Sequence, residues 1–304
     1  MNQLFSKMMS NDVKNKFREL QQFITSALET WDGEAVFAED EWDREEGGGG
    51  FTRTIANGRI IEKGGVAFSA VEGEVTKMMS EQLKLDGERF FATGVSIVLH
   101  PKHPRHPIIH MNIRYFEMDS KTYWFGGGID LTPHYIVDEL ATSFHQQLKK
   151  ICDGYNPNYY DAFKTWADDY FFLPHRNETR GVGGIFFDNL TENDSISKDQ
   201  ILSMCLELGT AFPSIYKSQV DGFKVSEYTP QEKHWQNIRR SRYVEFNLLH
   251  DRGTKFGIYS NGRTESILLS MPPSAEWLYN FIPSENSEEE LTLSKLKKGI
   301  DYLR

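Results

Sequence analysis

The sequence is poor in cysteine, in basic charge and in long apolar runs, and each shortage removes a class of protein. Only Cys152 and Cys205 occur in 304 residues. They are far apart and neither belongs to a CxxC pair, so a disulfide framework is not expected and two free thiols in a reducing compartment are. Lys and Arg number 34 against 44 Asp and Glu, a formal net charge of −10. Nucleic acid, which asks for a basic face, is not an expected partner. An anionic small ligand stays open, because a few well-placed arginines act locally. No stretch approaches the roughly 20 apolar residues of a membrane span. The opening MNQLFSKMMSNDVKNKF carries charge throughout and has no apolar signal core. These features lead to an expectation of no integral membrane segment and a cytoplasmic location. The strand–GxGxxG–helix unit of nucleotide enzymes, the HExxH of zinc proteases and an HxH pair are also missing.

What the chain does have is aromatic bulk, with Trp 6, Tyr 13 and Phe 21, and a pattern of strands in adjacent runs flanked by helices. Apolar residues at Val13, Phe17, Leu20, Phe23, Ile24, Ala27, Leu28 and Trp31 predict an amphipathic helix over 11–31. Residues 37–50 end in four glycines and read as a polar turn region, without the Lys-Ser/Thr of a phosphate loop. Asn57-Gly58 signals a hairpin between two strands. A short helix is expected at 74–86, with further helices at 135–151, 156–172, 197–219 and 230–239. A glycine-eased strand is expected at 181–187, then three strands at 243–250, 255–259 and 265–271. Short helices are expected around Trp277 and over 288–302. With no repeat and no linker, the fold class is α+β with a largely antiparallel sheet.

The chemistry concentrates between Gly94 and Pro133. Four of the nine histidines lie between His100 and His110. Pro101, Pro104 and Pro107 break that run, so it is a loop, with His103 and His106 expected on its solvent side. Residues 94–100 and 110–117 alternate. Ser96, Val98 and His100 share one strand face; His110, Asn112, Arg114 and Phe116 share another. A strand face carrying Ser, His, Asn and Arg is a site rather than a core. Asp130 stands alone between Ile129 and Leu131 after Gly126–Gly128, either as a helix cap or as a buried functional carboxylate. Arg114 and Arg263 are candidate carboxylate forks. His100, His110, His145 and His175 are candidate metal ligands or hydrogen-bonded polar residues. Asp251-Arg252-Gly253 reads first as a turn.

Several runs resemble the oxygen-dependent coproporphyrinogen III oxidases over nearly the whole length. They include Glu39-Asp40-Glu41-Trp42 with Gly47–Gly50, His110-Met111-Asn112-Ile113-Arg114-Tyr115-Phe116 and Trp124-Phe125-Gly126-Gly127-Gly128-Ile129-Asp130-Leu131-Thr132-Pro133. His175-Arg176-Asn177-Glu178, Arg180-Gly181 and Asp251-Arg252-Gly253-Thr254-Lys255-Phe256-Gly257 continue the match. The chain departs from the family pattern at Ala67 and at Asn261-Gly262. The resemblance implies a single domain over 1–304, its large flat antiparallel sheet sandwiched between helices, and a homodimer formed through 243–278. It implies decarboxylation of two propionates of coproporphyrinogen III to vinyls by dioxygen, in haem biosynthesis. By resemblance Ser96, Asn112, Ile113, Arg114, Asn261, Gly262 and Arg263 bind substrate, and His110 is a proton donor. His100, His110, His145 and His175 match positions assigned to a divalent metal, with manganese the suspected ion. Flavin, haem and nicotinamide are not called for, since an electron-rich pyrrole itself reacts with dioxygen. Asp130 is expected to accept pyrrole N–H groups, so that Asp130→Asn stops turnover and leaves the fold intact. The competing readings are a non-catalytic tetrapyrrole-binding protein and a metal-centred oxygenase of another carboxylate.

Overall fold

The computed structural model describes residues 2–75, 80, 87–118, 122–223, 227–259 and 262–304. Most of the helix expected at 74–86, and Asn261, lie outside the described residues. The first helix, α1 (Asn2–Asp32), buries Val13, Phe17, Leu20, Ile24 and Leu28 of the expected stripe, while Phe23 is exposed. Its last residue, Asp32, is fully buried and accepts the backbone N–H groups of Arg59, Ile60 and Ile61 at 2.9–3.0 Å. Burial pushes that carboxyl up, but the backbone donors outweigh it and hold it below the usual range. The helix end thereby fixes the hairpin that Asn57-Gly58 turns.

Six strands follow as a meander: β1 (Ala38–Asp43), β2 (Gly48–Ala56), β3 (Ile61–Glu74), β4 (Arg89–Pro101), β5 (Ile108–Met118) and β6 (Thr122–Thr132). Each pairs antiparallel with the next. After α2 (Asp138–Asp153), α3 (Tyr159–Tyr170) and a ribbon of β7 (Phe172–Leu173) and β8 (Glu178–Thr179), β9 (Gly183–Leu190) adds beside β6. The expected turn region at 37–50 is therefore mostly strand. Gly48, Gly49 and Gly50 lie in β2, with Gly47 in the turn before it, and Trp42 stands opposite Gly50, so aromatic bulk on the edge covers the bare backbone.

One sheet face is the core. Val95, Ile97, Leu99, Ile109, Met111, Ile113 and Ile129 are essentially unexposed there. That face packs under α1 and α4 (Lys198–Asp221), whose start is fixed by a Ser197/Gln200 capping box. The other face lies under α5 (Pro230–Leu249), also capped by a box, Thr229/Glu232. It is closed further by α6 (Arg252–Tyr259), α7 (Thr264–Ile267) and the 3₁₀ turn Leu268–Ser270. A last helix, α8, covers Glu288–Lys295. The three strands expected at 243–250, 255–259 and 265–271 are thus helical. Tyr243, Phe246 and Asn247 recur at helical spacing and are buried together, and that burial overrides the strand propensity of the aromatic and branched residues. No helix forms around Trp277, and α8 ends at Lys295.

His103 is buried, against the expectation of a solvent position, and its ring packs on His106 and Tyr228. Its neighbour His134 is fully buried, donates Nδ1–H to the Pro104 carbonyl at 2.8 Å, and is pushed down to about 3 by burial. An unfolded histidine titrates near 6.5. Between those values only the unfolded chain takes the proton, so stability is full above the unfolded value and is lost as pH falls. At about pH 5 the loss from His134 alone is about 2 kcal/mol. A melting temperature several degrees lower at about pH 5 than at about pH 7.5 is expected in calorimetry; an unchanged one would contradict His134 being held neutral.

Candidate active site

The register of β4, β5 and β6 places the polar alternates side by side. Val98, His110 and Asp130 face one another across the strands, followed by Ser96, Asn112 and Gly128, then Gly94, Arg114 and Gly126. Ser96, His110, Asn112 and Arg114 line a cleft of about 210 Å³. Its roof is Ser266, Ile267, Leu269 and Ser270, and its far wall is Tyr170, Phe186, Tyr243, Asn247 and Asp251.

Asp130 is 2% exposed and caps nothing, since the next helix starts at Asp138. Its Oδ1 accepts from His110 Nδ1 at 2.8 Å and from Arg180 Nη2 at 2.7 Å; its Oδ2 accepts from Arg180 Nη2 at 2.8 Å and Nε at 3.2 Å. Burial raises this carboxyl, but Arg180 and then His110 hold it below the ordinary carboxylate range. Both oxygens are therefore taken, and Asp130 is not on the cleft wall. In this structure it bonds His110 and Arg180 rather than facing the cleft. Its bond to Nδ1–H fixes the orientation of the His110 ring and leaves Nε2 for the cleft.

Arg180 is the residue that sequence reasoning did not single out. It is 3% exposed, and the rings of Phe171, Tyr243 and Phe246 lie 4.5–4.6 Å from its guanidinium carbon. Burial lowers its pKa, but Asp130 outweighs that and it stays charged. Asp251 is the carboxylate that does face the cleft. It accepts from Tyr170 Oη at 2.8 Å and from the Thr254 N–H at 2.6 Å, an N-terminal tie for α6 rather than a hairpin turn.

Arg114 lies flat across Gly126. Its Nη2 meets Asp188 Oδ2 at 2.8 Å and its Nη1 donates to Asn112 Oδ1 at 3.3 Å. A Cβ on Gly126 would stand 2.7 Å from both Arg114 Nε and Asp188 Oδ1, so the absent side chain is what lets this pair form. Ile113 is corrected: it is fully buried on the core face, and its backbone lies between two strands, so it presents nothing to the cleft. Arg263 pairs with Asp40 at the rim, outside the cleft wall, and Gly262 is exposed and donates its N–H to the Gly257 carbonyl at 2.8 Å.

The four histidines expected to share a metal are not brought together. His100 Nε2–H donates to the Ser270 carbonyl at 2.8 Å. His145, fully buried, spends Nε2 on the Val182 carbonyl at 2.9 Å and Nδ1 on Tyr160 Oη at 2.9 Å. His175 donates Nε2–H to Glu245 at 2.8 Å and accepts His250 Nε2–H at 3.0 Å. Among the described residues no group of three or more His, Cys, Asp or Glu side chains could hold a metal ion. The donors do not fit the expected centre.

An antiparallel sheet with a one-sided polar face, roofed by short helices and built around a buried Asp–Arg–His cluster, defines the class. The family model for coproporphyrinogen III oxidase matches residues 12–302. The chain belongs to the coproporphyrinogen III oxidase family. It is 45% identical over 311 residues, 96% of this chain and 68% of the relative, to the human "Oxygen-dependent coproporphyrinogen-III oxidase, mitochondrial". The mouse and rat proteins of that name are 45% and 44% identical over 96% of the chain, covering 69% and 70% of their own lengths. No described helix is long and apolar enough to cross a membrane.

Proposed function

We infer that this chain is an oxygen-dependent coproporphyrinogen III oxidase, converting two propionates of the reduced tetrapyrrole to vinyls and giving protoporphyrinogen IX for haem biosynthesis. The observation that carries the reading is family membership over nearly the whole chain together with the cleft wall of His110, Asn112 and Arg114. Each propionate loses one β-hydrogen and CO2, releasing two electrons. Dioxygen takes the pair and, with two protons, leaves as hydrogen peroxide. Arg114 offers a planar fork to a substrate carboxylate. Ser96 and Asn112 add hydrogen bonds beside it, and Arg263 is a second fork at the rim. Asp251, the cleft-facing acid, accepts pyrrole N–H, since each of its oxygens carries one protein donor where each Asp130 oxygen carries two. His110 moves protons at Nε2 while Asp130 holds Nδ1. The roof keeps bulk water from the reacting ring. No step is assigned to a metal ion.

The test is an aerobic assay on anaerobically prepared coproporphyrinogen III, with and without chelator. Vinyl formation in both arms is expected. Loss of activity with chelator and its return on adding manganese would contradict the metal-free account. A carrier would bind the macrocycle and form no vinyls.

Two copies are part of the proposal. Leu249, Ile258, Tyr259, Trp277, Tyr279 and Ile282 are exposed, and they fall in and just past the 243–278 segment. So much exposed apolar surface in one stretch suits a buried face between identical chains. Sedimentation is expected to give twice the chain mass; a monomer at micromolar concentration removes this part. A cytoplasmic location is retained on the two buried free cysteines, and cell fractionation decides it against the mitochondrial names of the mammalian relatives.

A further inference from the structure

Arg180 has one described side-chain oxygen partner besides Asp130: Nη1 donates to Asn247 Oδ1 at 2.7 Å. Asn247 is 4% exposed and sits on α5 with Tyr243 and Phe246, two of the rings around the same guanidinium. One helix face thus grips Arg180 at positions i, i+3 and i+4. The amide nitrogen of Asn247 points the other way and donates to Ser270 Oγ at 3.2 Å. Ser270 closes the cleft roof. Its carbonyl takes His100 Nε2–H, and the next carbonyl, Met271, takes Lys63 Nζ at 2.7 Å. Leu269 beside it rests on bare Gly65, where a Cβ would stand 2.3 Å from the leucine methyl. The roof turn is therefore seated on the sheet by two polar ties and one apolar contact and tied to α5 by a third polar bond, through Asn247, which continues inward.

We propose that Asn247 is a positioning residue that couples the seating of the Leu268–Ser270 roof to the proton-handling cluster, through the chain Ser270–Asn247–Arg180–Asp130–His110. This rests on the oxidase reading of the same cleft. An amide is suited to the task because one side chain must accept from a guanidinium and donate to a hydroxyl. When the roof turn is in place, Asn247 holds Arg180 square on both oxygens of Asp130, and Asp130 in turn fixes the tautomer and aim of His110. When the tie is broken, the macrocycle still meets Ser96, Asn112 and Arg114, so binding is retained and the chemical step is slowed.

The experiment compares Ser270→Ala, Asn247→Ala and the double variant in the aerobic vinyl assay. Ser270→Ala removes one oxygen from a half-buried turn, and a normal melting curve is expected. Its kcat is expected to fall about fivefold with KM within about twofold, and Asn247→Ala to fall about 10- to 100-fold in kcat, the scale of lost outer-shell partners. The double variant is expected to be no slower than Asn247→Ala alone, since both changes cut one chain. Ser270→Thr, which keeps the hydroxyl, is expected to restore kcat. Wild-type kcat in Ser270→Ala, multiplying effects in the double variant, or a rise in KM at constant kcat would each overturn the coupling while wild-type turnover leaves the oxidase reading standing. An inactive wild type under air would overturn both. Should Asn247→Ala fail to fold, Ser270→Ala and its threonine rescue decide alone.

Discussion

Asp130→Asn is expected to lower turnover at least about 100-fold, because His110 loses the carboxylate that orients its ring and holds the proton on Nδ1. It is also expected to cost stability. Asp130 and Arg180 are both about 2–3% exposed, and the variant leaves the guanidinium buried with a neutral partner. Removing one member of such a pair costs about 3 kcal/mol or more, far beyond a surface ion pair. The rings of Phe171, Tyr243 and Phe246 offset part of that cost. The sequence-based expectation of an intact fold is therefore revised to a folded but less stable protein. Thermal melting and kcat measured together check this; near-normal turnover would remove Asp130 from the account.

Gly126→Ala is expected to raise KM about tenfold or more while leaving the melting temperature close to wild type. The new methyl meets Arg114 and Asp188 near the ends of their side chains. Those ends can move, so the sheet survives, but the fork leaves its place and a charged hydrogen bond worth about 1.5–3 kcal/mol to a substrate carboxylate is weakened. Gly128→Ala is the control. Its Cβ would stand 2.5 Å from the Ile185 carbonyl, which is backbone and cannot swing aside, so loss of stability is expected there. If Gly126→Ala leaves KM unchanged, Arg114 does not receive a propionate.

What the sequence makes visible is whatever depends on neighbours along the chain. Alternation in β4 and β5 tells which residues share a face because every other position is apolar and buried, so one register satisfies the core. Asp130 is legible as an isolated acid for the same reason. Its partner is not. Arg180 lies fifty residues further on in a glycine-rich turn, and Asn247 and Asp251 lie further still; no local period links them. The run Tyr243–His250 misleads because its aromatic and branched residues favour strand, while the helical spacing that wins appears only once Arg180 supplies something for that face to grip. Histidine crowding misleads differently. His100, His103 and His134 are held in place by carbonyls or rings, and side chains held in that way carry the same letters as metal ligands.

The central claim is that this sheet face drives a dioxygen-dependent decarboxylation with protein groups alone. It is tested most directly by mixing chelator-treated enzyme with coproporphyrinogen III under argon and then under air, and following CO2, vinyl product and dioxygen uptake. The account predicts no vinyl under argon and, under air, one dioxygen consumed for each CO2 released, two of each per macrocycle. Vinyl formation without dioxygen, or macrocycle bound under air with no CO2 released, would contradict it.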